Sequence, residues 1–271
     1  MPALDFLSFI QERQNITRLK NSGAPRPWTN DIVLHQTRLT NLNRALDRGT
    51  IMLVGKVQPL VVQPKVDIIV LYRTGYSAPK LLQVLQGNRA HDTSWLQNNT
   101  SKFASRLPYQ VRLHRGQTIE DFMLKACFGV SDFNQVNLPS LNSATIEYAA
   151  EQIANSFKTS YGPGGYAMKF LGTEIAKDLT YFYPQNIDPN SMCPFNKGAI
   201  EGIQLLYQKK HLPSNCYSIS NRIQFLQNQT SFNYDMLEHS LCEYNKYVTR
   251  WDYYTAHLKF PKQWLYPENL A

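Results

Sequence analysis

Cysteine is scarce: the chain's four, Cys127, Cys193, Cys216 and Cys242, are far apart and form no Cys-x-x-Cys pair or His-linked zinc pattern. That excludes a disulfide framework and a structural zinc, and it predicts reduced thiols in a cytoplasmic protein. Long apolar runs are missing too. Nothing approaches the roughly 20 apolar residues of a membrane-crossing helix. The first helical stretch carries Asp5 and Glu12 and no basic leader, so neither secretion nor a membrane anchor is expected. No Gly-rich loop ends in Gly-Lys-Ser or Gly-Lys-Thr, which argues against a kinase. No nicotinamide, flavin or metal-ligand signature is visible either, so no cofactor is expected.

Acidic residues are the other shortage. Lysine and arginine number 28 against 20 aspartates and glutamates, a net charge of +8, and the excess is uneven. Through residue 130 the count is 17 basic to 8 acidic, and from 131 onward 11 to 12. A basic surface confined to one part of a chain is the usual footprint of a polyanion, because each neutralised phosphate releases condensed counterions. The basic residues are interleaved with Tyr, Trp and Asn and do not form a polybasic amphipathic helix, which fits DNA better than a membrane.

The richest local pattern lies in the first 50 residues. A helix is predicted over about Leu4 to Lys20, apolar along Phe6, Leu7 and Ile10, with Arg13, Thr17 and Lys20 one turn apart. Gly23-Ala24-Pro25-Arg26-Pro27-Trp28-Thr29-Asn30-Asp31 then makes a turn. A second helix is predicted beyond it. Its polar stripe is Asp31, His35, Arg38, Asn41, Ala45 and Arg48, its apolar stripe Leu34, Leu39, Leu42 and Leu46, and Gly49 ends it. On this reading several cations converge around Trp28 and Asp31. The plainer alternative makes Trp28 a hydrophobic plug, Asp31 a helix cap, and Arg38 and Asp47 members of ion pairs between helices.

Further along, Ile51 to Gln63 reads as an extended or short helical linker, and Val66 to Tyr72 suits a strand or a helix equally. Lys80 to Gln86 and Ile119 to Phe128 read as short helices, with a loop-like stretch from His91 to Arg115 between them. Ser143 to Lys158 has helical periodicity through Ile146, Ala149, Ala150, Ile153 and Phe157. A Gly-rich break follows, and then a helix from Tyr166 to Phe182. Helix, tight Gly turn and helix form the outline of a helix-hairpin-helix, whose turn amides bind DNA phosphate, although Gly-rich turns join many unrelated helices.

Phe9-Ile10-Gln11-Glu12-Arg13, Arg18, Lys20, Gly23, Pro25, Pro27-Trp28-Thr29, Asp31, Leu34, Arg38, Asn41, Asn43-Arg44 and Asp47-Arg48 together resemble the alpha-glutamyl/putrescinyl thymine pyrophosphorylase family, the bacteriophage amino acid:DNA transferases. Gly162-Pro163-Gly164-Gly165-Tyr166-Ala167 with Asp178-Leu179, and Leu241-Cys242-Glu243-Tyr244-Asn245-Lys246-Tyr247, extend the likeness over most of the chain. Asn245 stands where the family pattern has Asp. The resemblance implies a mainly α, two-lobed helical fold like that of helix-hairpin-helix DNA glycosylases. The expected division is a single bilobal catalytic domain over 1–271, with a basic lobe to about 130 and a helix-hairpin-helix lobe from about 131. For a phage protein the compartment is the host cytoplasm.

The implied reaction is thymine hypermodification. An amino acid or amine displaces phosphate or pyrophosphate from the 5-methylene of a phosphorylated 5-hydroxymethyluracil in DNA. The partners are that DNA and the free amine. A growing negative charge on the leaving group calls for preorganised cations, assigned to Arg13, Lys20, Arg44 and Arg48. Deprotonating the amine calls for a carboxylate, with Asp31 preferred and Asp178 and Glu243 as further candidates. Trp28, with Tyr166 second, offers an aromatic platform for the flipped base. Asn41 and Asn43 suit the uracil edge, and Arg38 or Lys246 the amino acid's carboxylate. Gly162, Gly164, Gly165 and Tyr166 would hold DNA backbone.

Two other functions compete. In a DNA glycosylase, an Asp after the hairpin, here Asp188, would stabilise an oxocarbenium ion, and the cation cluster would have no purpose. The other is a noncatalytic DNA-binding module. Cys242 could attack C6 of a pyrimidine, although a lone Cys in an apolar setting is more often core. Lys246 and Arg250 face one way on a helix, as a phosphate contact or a solvated face.

Overall fold

A computed structural model describes residues 3–57, 69, 73, 98–99, 143–161, 166–257, 262 and 265. These residues are mainly helical and contain no named strand. By contact density the chain divides into two compact units, one of Met1–Asp47 with Phe195–Ala271 and one of Arg48–Pro194.

In the first unit, α1 runs Phe6–Asn21, close to the predicted bounds. Asp5 caps it, its carboxylate accepting from the Ser8 amide at 2.9 Å, so the first turn's unpaired donors are met from the sequence itself. The buried stripe is Phe6, Phe9, Ile10, Arg13 and Ile16, whereas Leu7, expected on the apolar face, is exposed. The long helix α8, Tyr234–His257, receives that stripe: Phe6 and Phe9 each meet the Tyr244 ring at 5.3 Å in edge-on geometry. Such aromatic pairs add about 0.5–1.5 kcal/mol beyond their buried area.

Helix α6, Lys197–Gln208, packs closely on α8 because Gly202 leaves its backbone bare: a Cβ there would lie 2.5 Å from the Leu241 carbonyl oxygen. Helix α7, Ile219–Thr230, adds Ile223 and Leu226 to the same core.

The second predicted helix is overturned. Only α2, Ile32–Gln36, forms, capped by Asp31 through the Leu34 amide at 2.9 Å. At Thr37 the backbone becomes extended and bridges to Leu265. It curls again in a 3-10 turn, Arg44–Leu46, then α3, Arg48–Met52, which carries on as a π turn over Leu53–Val57. Gly49 is therefore inside a helix rather than after one. The break has two causes. β-Branched Thr37 turns its hydroxyl back onto the Val33 carbonyl. The peptide groups of the next residues, moreover, find partners on α1 and α8.

In the second unit, α4 (Ile146–Tyr161) and α5 (Tyr166–Leu179) agree with the predicted pair. Ile146, Ala149, Ala150 and Ile153 are buried, as are Leu171, Ile175, Ala176 and Leu179. Gly172 is the point of closest approach, 2.7 Å separating a hypothetical Cβ from the Ala150 carbonyl oxygen. Of the ambiguous Val66 to Tyr72 stretch, Ile69 is helical and buried. Asn98 and Asn99 are helical, against the loop expected there. The predicted helices Lys80 to Gln86 and Ile119 to Phe128, and the Gly162–Gly165 turn, lie outside the described residues. Among the described residues no helix is long and apolar enough to cross a membrane.

Candidate functional site

The extended run after α2 is pinned by charge. Arg13, only 5% exposed, donates to the carbonyl of Thr40 at 2.7 Å and to that of Leu39 at 3.4 Å. Arg250 reaches the carbonyl of Arg38 at 3.2 Å. Glu243 accepts from the Thr40 amide at 3.2 Å, and the His239 ring nitrogen Nε2 lies 3.0 Å from the Thr40 hydroxyl. A peptide segment outside regular structure is thus well supplied with partners, although Arg38 and Thr40 are exposed.

Glu243 is 1% exposed and carries Lys246 at 2.6 Å. Burial pushes its carboxyl up, but the charges of Lys246 and His239 and the bonds from Lys246 and Thr40 outweigh that and hold it at about 2 instead of 4.5. For Lys246, burial lowers the ammonium's pKa and Glu243 more than restores it, for a net rise. Burial draws the Arg250 guanidinium below its ordinary value, with Glu243 opposing and Arg13 adding to the fall.

Beside this clamp α1 opens a cavity of about 300 Å³, lined by Arg13, Gln14, Thr17, Arg18, Asn21, Asn41, Leu42, Asn43, Leu46, Phe232 and Met236. Its lining residues include two arginines, four amide side chains and a threonine, none of them acidic, and most of the surface they turn to the cavity is apolar. Asn41 holds the rim: its amide nitrogen lies 3.4 Å from the Thr17 hydroxyl and its oxygen accepts the Asn43 amide at 3.0 Å. Asn43 in turn caps the 3-10 turn through the Ala45 amide at 2.9 Å. Arg18 is exposed and bonded to the Asn15 side chain at 2.8 Å. The volume is at the small end of ligand pockets, about 300–1,000 Å³. That is room for one planar ring.

Of the residues singled out from sequence, the structure brings Arg13, Asn41 and Asn43 to this cavity. Arg44 follows Asn43 in the 3-10 turn and is buried. Lys20 and Arg38 do not line it. Arg48 begins α3, and its side chain is outside the described set. Trp28 does not line the cavity. Its indole N–H donates to the Ala24 carbonyl at 2.7 Å, the Arg26 guanidinium sits 4.6 Å from its ring centre, and it packs on the hydrophobic core.

Asp31 uses one oxygen as the α2 cap, and the other accepts the Tyr247 hydroxyl at 2.6 Å. Burial, reinforced by Asp31, raises that tyrosine's pKa. Asp178 belongs to the second unit. Arg73 donates to its two oxygens at 2.5 and 2.7 Å and also faces Glu174 at 3.4 Å, beside fully buried Lys177. Asp188 accepts the Asn190 amide at 2.9 Å, a local turn bond. Gly162, Gly164 and Gly165 lie outside the described residues, as does the side chain of Tyr166.

Gln14, Arg18, Asn21, Phe232 and Met236 were given no site role from sequence. The first three were findable, since Gln14, Thr17, Arg18 and Asn21 follow the three-and-four spacing of one helix face. Phe232 and Met236 were not, because they reach the site only through tertiary packing of the turn before α8 and of that helix's first turn.

Residues 2–119 match the family model described as 5-hmdU DNA kinase, helical domain. No curated protein and no solved structure gives a significant match.

Proposed function

We propose that this chain acts on DNA carrying 5-hydroxymethyldeoxyuridine, receiving the modified base in the α1 cavity and replacing a phosphate or pyrophosphate on its 5-methylene with an amino acid or amine. The observation that carries the reading is the set of residues around the cavity, two arginines and four amide side chains with no acid among those described, on a stretch whose α1 and Asn41–Leu46 parts fall inside the matched 2–119. Amides match the alternating carbonyl and N–H edge of uracil, guanidiniums match phosphate, and Phe232 offers the ring an apolar wall.

In the step envisaged, the neutral amine nitrogen forms a bond to the exocyclic methylene carbon as the C–O bond to the (pyro)phosphate breaks. The leaving oxygen takes the bonding pair toward Arg13 and Arg18. The proton lost by the incoming ammonium goes to a carboxylate. Glu243, held at about 2 by its cations, is too weak a base. Asp31, whose oxygens accept from the Leu34 amide and the Tyr247 hydroxyl, does not line the cavity, so in this reading it would take the proton through an intervening water.

A second reading comes from the match itself: a helical module that presents hydroxymethyldeoxyuridine to a separate kinase domain. The chain's lack of a Gly-Lys-Ser or Gly-Lys-Thr phosphate loop suits a module of this kind. One experiment separates the two. The protein is incubated with DNA containing phosphorylated or pyrophosphorylated 5-hydroxymethyluracil and mixed amino acids, and the digested nucleosides are weighed by mass spectrometry. An amino-acid adduct that disappears in Arg18→Ala supports the transferase. Its loss in Asp31→Asn, which still caps α2, supports Asp31 as the base. Binding of hydroxymethylated DNA without any adduct supports the module, and abasic sites would overturn both.

A further inference from the structure

Residues 202–234 contain Lys209, Lys210, His211 and Arg222 and not one Asp or Glu. This stretch spans most of α6, all of α7 and the corner joining them. The corner is well ordered by its own bonds. The amides of Lys209, Lys210 and His211 close onto Leu205, Tyr207 and Leu206 at 2.9–3.0 Å, and Lys210 takes a left-handed backbone, φ 57°, that ends the helix. Leu212 and Cys216 anchor it from below.

Arg222 fastens the other side. It donates to the Cys216 carbonyl at 2.9 Å and the Tyr217 carbonyl at 3.4 Å, and its guanidinium lies 3.6 Å from the Tyr207 ring centre. What this frame presents outward is unusual. Lys209, Lys210 and His211 are all exposed, and Tyr217 stands 80% exposed, an aromatic ring that the fold does not use. The outer positions of α7 include Asn221, Gln224 and Asn228, polar and uncharged. Asp5 interacts with His211 from the cap of α1.

We propose that the α6–α7 corner is a contact for unpaired DNA, separate from the α1 cavity, with Lys209 and Lys210 on phosphates and Tyr217 stacked on an exposed base. Cations without nearby acids in sequence provide attraction, amides on α7 tolerate any base edge, and a bare ring gives a stacking platform that every base can use. Because the contact reads backbone and ring face, it needs no modified base.

The test therefore uses ordinary DNA. A fluorescein-labelled single-stranded oligonucleotide and its duplex are titrated by anisotropy at several salt concentrations against the full chain and three variants. Lys209→Gln with Lys210→Gln is expected to flatten the slope of log K against log salt by about 1.4, near 0.7 for each single-strand phosphate that is no longer neutralised. Tyr217→Ala is expected to weaken single-strand binding on the order of tenfold, and Tyr217→Phe to restore it. All three positions are exposed, so circular dichroism melts should coincide. Unchanged slope and affinity, or an equal loss for Tyr217→Phe, would overturn the proposal. Its failure would leave the cavity reading standing, since that rests on adduct formation at a modified base.

Discussion

Arg73 in one compact unit and Arg13 in the other are both largely withdrawn from water, yet they meet different partners. Arg73 faces two carboxylates, Asp178 and Glu174, with Lys177 alongside, so two cations and two anions cancel locally. Arg13 faces peptide carbonyls and borders a cavity whose described lining has no acid. Self-neutralised buried charge fixes a structure and has little left to offer a ligand. Arg13 instead holds the Leu39 and Thr40 peptide groups in place at the edge of the α1 cavity.

Removing one partner from the neutralised cluster should hurt most. Arg73→Ala removes the cation that Asp178 and Glu174 share, and a loss of about 3–5 kcal/mol is expected, seen as faster hydrogen exchange at α5 amides. If exchange there is unchanged, the cluster is not structural and the contrast fails. Next comes Glu243→Gln, which leaves Lys246 and Arg250 without their anion at an expected cost on the order of 3 kcal/mol.

This second variant also has a pH signature. The folded Glu243 carboxyl sits near 2, below its ordinary 4.5, so its contribution is present above pH 4.5 and is lost as pH falls toward 2. An acid titration of stability should be flatter over that window in Glu243→Gln than in the parent. Gly202→Ala drives a methyl against the Leu241 carbonyl and should cost about 1–3 kcal/mol in urea melts, a packing effect with no pH dependence. Arg18→Ala should move stability by less than about 0.5 kcal/mol, since the residue is exposed. It should nonetheless weaken binding of DNA with a phosphorylated hydroxymethyluracil about tenfold, by anisotropy. A destabilised Arg18→Ala with normal binding would assign that rim to structure.

Local signals carried what was legible in the sequence. Asp5 with the apolar period beyond it gives α1, and Ile146 through Ile153 gives α4. Asn41 and Asn43, singled out by residue type, line the α1 cavity. The helix expected beyond Gln36 failed because its donors and acceptors are met from elsewhere: Glu243 lies 203 positions from Thr40, and Arg250 lies 212 from Arg38. Periodicity sees neighbours along one helix and is blind to a bond of that reach. Trp28 was read as a wall of the site from its neighbours in sequence, and the structure gives it the contacts of a plug.

Leu4 is held at both its peptide groups by one distant helix. Its amide donates to the Tyr247 hydroxyl at 3.0 Å, 243 positions away, and its carbonyl accepts from Tyr244 at 3.1 Å. On a ribosome this imposes an order of events. The first 47 residues emerge without the helix that completes their core, and the 147 residues of Arg48–Pro194 are made in between. At roughly 5–20 residues per second that insertion alone takes about 7–30 s. During that time Phe6, Phe9 and Ile10 lack α8, so this stretch of the nascent chain should be where chaperone capture concentrates.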